Sequence, residues 1–351
     1  MSIAILTDRS GRTSRARVPA ARGIHSRPAP PAPRHYTWTK ADTISTAIIA
    51  VLAFITRFAG LAAPVSEGTP VFDEKHYVPQ AWDMVTSWHN LFLGGIESNP
   101  GYGLVVHPPL AKQIVAISEA IFGYTPLGWR AMAALFGVGT VLLTMALARR
   151  LSGSWQVGFL AGLLAVCDGV LLVASKFGML DIFQVFFIVA AAWALARDHQ
   201  QMRERLHAAF LSGTMGDSDF GPRFGFRWWR FTAGVFLGLT LAVKWSGLYY
   251  IMFFGLMSVF SDLALRRLYG VRRYIVGTLV RDTPAALASL VAVPVACMRG
   301  LGALGLPMRP PSTATRRLTA RSRMALGCST SPSLLPVGST TTPLCWSSTP
   351  P

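Results

Sequence analysis

The sequence predicts an all-α polytopic membrane protein, and three observations predict it. Apolar residues fall in blocks of near-spanning length, not in the alternating or one-faced patterns of soluble strands and helices. Only 14% of the 351 residues are charged and 52% are hydrophobic, against roughly 25% charged in soluble domains. Basic residues close several blocks, as Arg149-Arg150, Arg197 and Arg266-Arg267 do, and positive charge at such positions fixes which side of a membrane a loop occupies.

Residues 1–40 form an Arg/Pro/Ala-rich arm with no hydrophobic centre of its own, so they read as a disordered, basic, cytoplasmic segment and not as a cleavable signal. Residues 43–63 form the first span, an uncleaved anchor that ends at Pro64. Arg57, near its far end, is expected to snorkel toward the interface or to meet an anionic headgroup. Residues 65–127 mix Pro, Gly, Trp, His and charge, and within them 77–88 and 110–122 suit amphipathic helices lying in the interface. The second carries Lys112, Gln113 and Glu119 and is short for a crossing. Spans follow at 129–148, 157–174 and 179–196, then a polar loop over 198–227, then spans at 228–243 and 248–265. The last apolar block, 284–296, is again short for a crossing. The multi-span region therefore covers residues 41–296, and 297–351 form a low-complexity tail.

The distribution of positive charge tests this layout. With the arm in the cytoplasm, Arg149-Arg150, the cluster from Arg197 to Arg227 and the cluster from Arg266 to Arg281 all fall inside. A full crossing by 110–122 would move Arg149-Arg150 outside, so the rule favours an interfacial or re-entrant helix there. The outer side then receives Asp73, Glu74, His107, Lys112, Arg130, Lys176, Asp181 and Lys244. Ionisable residues at membrane depth mark functional sites, and here both signs accumulate on one side.

The net charge of +17 does not point to nucleic acid. The first forty residues hold eight Lys/Arg and one acid, and 297–351 hold six Arg and no acid, together 13 of the 17. No nucleic-acid-binding motif accompanies that charge. Cys167, Cys297, Cys328 and Cys345 have neither CxxC nor metal-ligand spacing, so neither a zinc site nor a disulfide framework is expected.

A carboxylate at a membrane surface suits general-base work on a hydroxyl nucleophile. Lys and Arg beside it suit a phosphate, Arg as a fork and Lys as a point charge. Together they describe group transfer from a lipid-linked phosphate to a hydroxyl, with the leaving phosphate stabilised by cations. Each piece alone has a plainer reading. Asp73-Glu74 would be solvated loop, His107-Pro-Pro a rigid helix start, Asp168 and Asp181 helix caps or interruptions, and Lys244-Trp245 and Trp228-Trp229 interfacial anchors.

The order of the pieces decides. Phe72-Asp-Glu-Lys-His-Tyr77 follows the first span, then Val106-His-Pro-Pro-Leu-Ala-Lys112, then Cys167-Asp-Gly-Val-Leu-Leu-Val-Ala-Ser-Lys-Phe-Gly-Met-Leu-Asp-Ile182, then Gly238-Leu-Thr-Leu-Ala-Val-Lys-Trp-Ser-Gly247. Over residues 40–296 the chain resembles the actinobacterial protein O-mannosyltransferases, within the GT-C class of membrane glycosyltransferases. The resemblance implies the N-terminal half of a GT-C fold, with interfacial helices in the first outer loop. It implies transfer of mannose from polyprenyl-phosphate mannose to Ser or Thr of secreted proteins, with inversion, at the outer face of the plasma membrane. Asp73 is implied as the catalytic base and Glu74 as its partner in positioning the acceptor. Arg130, Lys176 and Lys244 are implied at the donor phosphate, His107 and Lys112 in the adjacent pocket, and Asp181 in a second acidic motif that Asp168 supports structurally. No metal and no cofactor are expected, the lipid-linked sugar being a substrate. The expected partners are that donor, the acceptor proteins, possible contact with the secretion translocon, and membrane lipids.

The tail departs from that family, whose members continue with a large outer loop and further spans. Residues 297–351 are rich in Ser, Thr, Pro and Arg and contain no span. That composition looks like out-of-frame translation of a GC-rich gene, so a truncation or frameshift near residue 297 is expected, which would place the activity of this chain in question. Two rivals remain: another GT-C enzyme moving a sugar from a polyprenyl phosphate to a lipid or glycan, and a membrane transporter. The transporter would show internal repeats and charge along a path, and the sequence shows neither.

Overall fold

Ten α-helical elements and one 3-10 turn, Thr214–Gly216, account for the regular structure among the described residues, and no strand occurs there. The structure is a computed structural model and describes residues 30–33, 37–63, 70–86 and 107–301. All of these belong to the unit Met1–Leu306; the unit Pro307–Pro351 lies outside them. Most of the expected basic arm and of the expected tail likewise lies outside the described residues. In chain order the helices are α1 (Lys40–Phe58), α2 (Glu74–Thr86), α3 (Leu110–Phe122), α4 (Pro126–Ser152) and α5 (Trp155–Cys167). They continue with α6 (Gly169–Lys176), α7 (Asp181–Leu211), α8 (Trp228–Val243), α9 (Gly247–Leu268) and α10 (Tyr274–Gly300).

Five of these, α1, α4, α7, α9 and α10, are long and apolar enough to cross a membrane, and α5 with α6 makes a sixth if the bent pair is one span. Their start signals are local. Thr39 caps α1 by accepting from Asp42 N at 3.2 Å, while the Asp42 carboxylate accepts Thr39 N at 2.8 Å, a reciprocal capping box. Thr125 caps α4 ahead of Pro126, and Gly153 closes it at φ 74°, the left-handed position that glycine adopts without a Cβ clash.

Three expectations about the spans are corrected. Residues 157–174 are not one straight helix: the chain bends by 61° between α5 and α6. Asp168 begins α6 as its N-cap, accepting Leu171 N at 2.6 Å. The break exposes the last carbonyls of α5, and Arg57 meets them, donating to Ala165 O at 2.9 Å and Val166 O at 3.3 Å. Arg57 is therefore neither snorkelling nor at a headgroup; at 0% exposure it caps a broken helix, where a cation is favoured. The polar stretch expected as a loop from residue 198 is helical as far as Leu211. The short block 284–296 is the interior of the 27-residue α10. Its charged start escaped the hydropathy reading because Asp282 is neutralised by Arg266 at 2.5 Å. Two π turns in α10, Thr278–Asp282 and Ala288–Ala292, precede Pro284 and Pro294, whose missing N–H groups loosen the helical ladder.

Helix packing rests on small residues. A Cβ at Gly234 would fall inside the Ser289 carbonyl oxygen, and one at Gly238 would lie 2.9 Å from Pro294 Cα, so α8 and α10 approach backbone to backbone. Gly234→Ala is expected to lower the thermal midpoint in detergent by forcing these helices apart, an overpacking loss of about 1–3 kcal/mol. An unchanged midpoint would show that α10 does not sit there.

The ends of the helices differ in kind. At one end lie buried ion pairs: Asp42 with Arg149, Arg227 with Asp198 and Asp262, and Arg266 with Asp282. Asp198 lies 17 positions after the start of α7, about 26 Å along the axis, which is close to the thickness of a hydrocarbon core. The other end holds the candidate site.

Candidate active site

Hydrogen bonds and chain reversals bring most of the polar residues expected on the outer side to one end of the bundle. α6 ends at Lys176 and α7 begins at Asp181, so both share that end. Lys244, just past α8, forms an ion pair with Asp181 at 2.8 Å. Gly178, between α6 and α7, donates its N–H to Glu74 at 2.8 Å, and Arg130 on α4 donates to the same carboxylate. The helices α2 and α3 lie across this end. Val78, Ala81 and Met84 from α2 and Ala111, Val115 and Ala116 from α3 pack with Trp129 of α4 and Phe183 of α7. At 13 residues each, or about 20 Å, neither α2 nor α3 reaches across a bilayer.

Asp73 and Glu74 have opposite environments although they are neighbours. Glu74 is fully buried. Its carboxylate accepts from Arg130 Nε at 2.8 Å, Arg130 Nη2 at 2.9 Å, Gly178 N at 2.8 Å and Val71 N at 3.1 Å. Those four donors occupy the lone pairs of a carboxylate, leaving none for an acceptor hydroxyl. Arg130 is 3% exposed, lies over the Phe177 ring at 5.2 Å and forms a bidentate fork with Glu74. The geometry pairs the two residues with each other: Glu74 and Arg130 are both buried and joined by two hydrogen bonds. Asp73, one residue before α2, is half-buried, and its carboxylate has no hydrogen bond among the described residues. The turn that presents it is held by Glu74 N to Val71 O at 3.0 Å and His76 N to Asp73 O at 3.0 Å. Phe72 in that turn has φ 52°, an uncommon value for a bulky side chain and a sign of stored strain.

The remaining predicted residues have varied partners. Lys176 is half-buried and donates to Ala59 O at 2.9 Å. Lys244 and Asp181 keep 30% and 44% side-chain exposure, so their pair remains accessible. His107 lies 6.1 Å from the Tyr77 ring, and its carbonyl accepts from Lys112 Nζ at 3.3 Å. Lys112 is 1% exposed, which makes it an internal support of the start of α3. Residues 87–106, including Val106 of the second motif, lie outside the described residues.

Three groups here were given no role in the sequence reading. Gln184 and Ser246 exchange hydrogen bonds of 2.8 and 3.2 Å just inside the Asp181–Lys244 pair. Glu119 on α3 is fully buried, and neither of its oxygens has a hydrogen-bond partner. Burial, reinforced by Asp83, pushes its carboxyl from the ordinary 4.5 up to about 8. The folded chain then binds this proton more tightly than the unfolded one. The contribution is fully present below about 4.5 and is lost as pH rises toward 8. The thermal midpoint is expected to fall more steeply over that window in the native chain than in Glu119→Gln. Parallel pH profiles would contradict the assignment. An acid inside a short apolar helix was the available signal.

Comparison with known proteins gives the family. Residues 47–300 match the family described as dolichyl-phosphate-mannose-protein mannosyltransferase. The chain belongs to that family. A polyprenol-phosphate-mannose–protein mannosyltransferase of Corynebacterium glutamicum is 67% identical over 272 residues, covering 78% of this chain and 52% of the relative. The protein of the same name from Mycobacterium tuberculosis H37Rv is 50% identical over 253 residues, covering 72% of this chain and 47% of the relative. This mannosyltransferase-family chain thus spans about half the length of the curated relatives it matches. Its fold matches the Saccharomyces cerevisiae protein O-mannosyltransferase Pmt1-Pmt2 complex bound to the sugar donor, with a TM-score of 0.54 at 22% identity, over 76% of this chain and 34% of that one. The family and the apolar helices make it a multi-pass membrane protein of the GT-C type.

Proposed function

We propose that this chain carries the acceptor-activating and donor-phosphate side of a protein O-mannosyltransferase. The donor is polyprenyl-phosphate mannose and the acceptor is a Ser or Thr hydroxyl of a secreted protein. The observation that carries the reading is the contrast within one dipeptide: Glu74 is locked by four donors while the Asp73 carboxylate beside it makes no hydrogen bond among the described residues. Asp73 takes the hydroxyl proton as the oxygen attacks the anomeric carbon from the side opposite the phosphate. The bond to the phosphate oxygen breaks, the configuration inverts, and the phosphate leaves as an anion. Lys176 and Lys244 supply positive charge to that anion, and Asp181 orients Lys244. Glu74 and Arg130 act as a positioning pair that fixes the turn, while His107 and Lys112 shape the start of α3. This scheme needs no cofactor or metal beyond the lipid-linked substrate.

The same reading places the N-terminus in the cytoplasm and the site at the outer face of the plasma membrane, where secreted acceptors emerge from the translocon. Its support is the segregation of Arg149, Arg227, Arg230 and Arg266 to the end of the bundle opposite Asp73.

The test uses proteoliposomes holding either the chain or a fusion that continues it after residue 296 with the C-terminal half of the corynebacterial relative. Labelled polyprenyl-phosphate mannose is supplied with Ser/Thr peptides, lipid extract or no acceptor. Label transferred to peptide by the fusion is the expected result. Transfer only to lipid would favour another GT-C activity, and label flux without transfer would favour a transporter.

A further inference from the structure

A second polar site lies at the opposite end of the bundle, away from Asp73. A cavity of about 210 Å³ opens between the start of α8 and the first half of α10. Its lining includes Phe226, Arg227, Arg230, Arg281, Asp282 and Ser289. A water occupies about 30 Å³, so there is room for a tetrahedral oxyanion with some of its hydration.

The charges around the cavity are unevenly matched. Arg227 is paired with two carboxylates, donating to both oxygens of Asp198 and, at 2.6 Å, to Asp262 Oδ2. Asp282 is held in a fork by Arg266 at 2.5 and 3.0 Å. Both acids nearest the cavity, Asp262 and Asp282, are therefore already engaged. Arg230 reaches only the Asp262 oxygen that Arg227 already holds, at 3.3 Å. Although Arg230 is 2% exposed, its Nε has no partner. Arg281 donates only to neutral oxygens, the Gly221 carbonyl and the Ser218 hydroxyl. Arg230 thus has only a shared carboxylate, and the half-buried Arg281 has none. A buried cation as incompletely paired as Arg230 is unfavourable unless an anion completes it.

The surroundings indicate where the anion comes from. Phe226 and Trp228 are 56% and 68% exposed beside the mouth, and such aromatics settle at the headgroup level of a bilayer. On α10, Leu279, Val280 and Leu287 are 56%, 64% and 56% exposed, a surface suited to acyl chains. We infer that this cavity binds the phosphate of an anionic glycerophospholipid, with Arg230 and Arg281 as its fork donors and the acyl chains lying along α10. The site is independent of the transferase reading.

The experiment uses the whole chain in nanodiscs of phosphatidylcholine, with or without phosphatidylglycerol, and reads retained lipid by native mass spectrometry alongside the thermal midpoint. Retention of one phosphatidylglycerol and a raised midpoint are expected. Arg281→Gln should weaken retention about tenfold, the scale of one lost charge-assisted hydrogen bond. It should lower the midpoint in pure phosphatidylcholine through the lost bonds to Gly221 and Ser218, so the readout is the rise that phosphatidylglycerol adds, which should shrink in the variant. Arg230→Gln should weaken retention similarly, and Arg230→Lys should restore part of it. Arg272→Gln, which removes a cation at 82% side-chain exposure, should leave retention unchanged. Equal midpoints with and without phosphatidylglycerol would overturn the proposal. So would equal losses in Arg272→Gln and Arg281→Gln, which would signify diffuse surface charge. Inorganic phosphate reproducing the full shift in phosphatidylcholine would reject the lipid as the source.

Discussion

Glu74→Ala is expected to destabilise the described bundle by about 3–5 kcal/mol, the range found when one partner of a buried ion pair is removed. The loss arises because Arg130, at 3% exposure, would keep its charge without a counterion. Gly178 N and Val71 N would lose their acceptor in the same step. Those bonds join the start of α2, the first turns of α4 and the α6–α7 connection, so the damage should not stay local. Arg130→Met should be nearly as severe, because it leaves a buried carboxylate. The double variant Glu74→Leu/Arg130→Met should recover much of the loss, since an apolar pair of similar volume carries no desolvation penalty. Thermal midpoints in detergent, measured on all four chains, check this. A Glu74→Ala chain that melts with the native one would show that the pair is not formed, and with it would go the positioning role of Glu74.

The spans were legible in the sequence because lipid solvation is a crude selector: a long apolar run reads the same whatever it packs against. Six of the expected spans correspond to helices or, for 157–174, to a bent pair. What failed was anything that depends on a partner far along the chain. The last apolar block was read from residue 284 only, because the charge of Asp282 just before it has its partner, Arg266, on another helix. Asp198 looked like the start of a loop for the same reason, its counter-charge being Arg227. The break at Asp168 was visible only as an acid in an apolar run; its second half, Arg57 capping the α5 carbonyls, joins residues 108 and 109 positions apart.

The site shows the same division. The types of residue and their common side followed from motif order and charge placement, and Lys244 and Asp181 do meet. The roles within the Asp73-Glu74 dipeptide did not follow, because adjacent residues in a turn can face opposite ways and only the fold shows which one faces Arg130. Burial is what separates them: Glu74 acquired four donors, while Asp73 retained an accessible carboxylate.

Asp73→Asn is accordingly expected to abolish mannosyl transfer while leaving the fold intact. In the fusion that continues the chain with the C-terminal half of the corynebacterial relative, the rate should fall by about 10²–10⁴, the usual contribution of a general base. Asn keeps the shape and removes only the ability to take the hydroxyl proton. The thermal midpoint should stay near that of the parent, because the Asp73 carboxylate has no hydrogen bond among the described residues to lose. Donor binding should also persist, since the phosphate is assigned to Lys176 and Lys244. Lys244→Ala should show the converse pattern, weakening donor binding and slowing departure of the phosphate while leaving proton abstraction possible. Asp73→Glu, which keeps the base but moves it by a methylene, should retain a fraction of the activity. Full transfer by Asp73→Asn would remove this residue as the base. A drop in midpoint as large as that of Glu74→Ala would instead show that Asp73 holds the turn together, and the difference between the two acids would lose its chemical meaning.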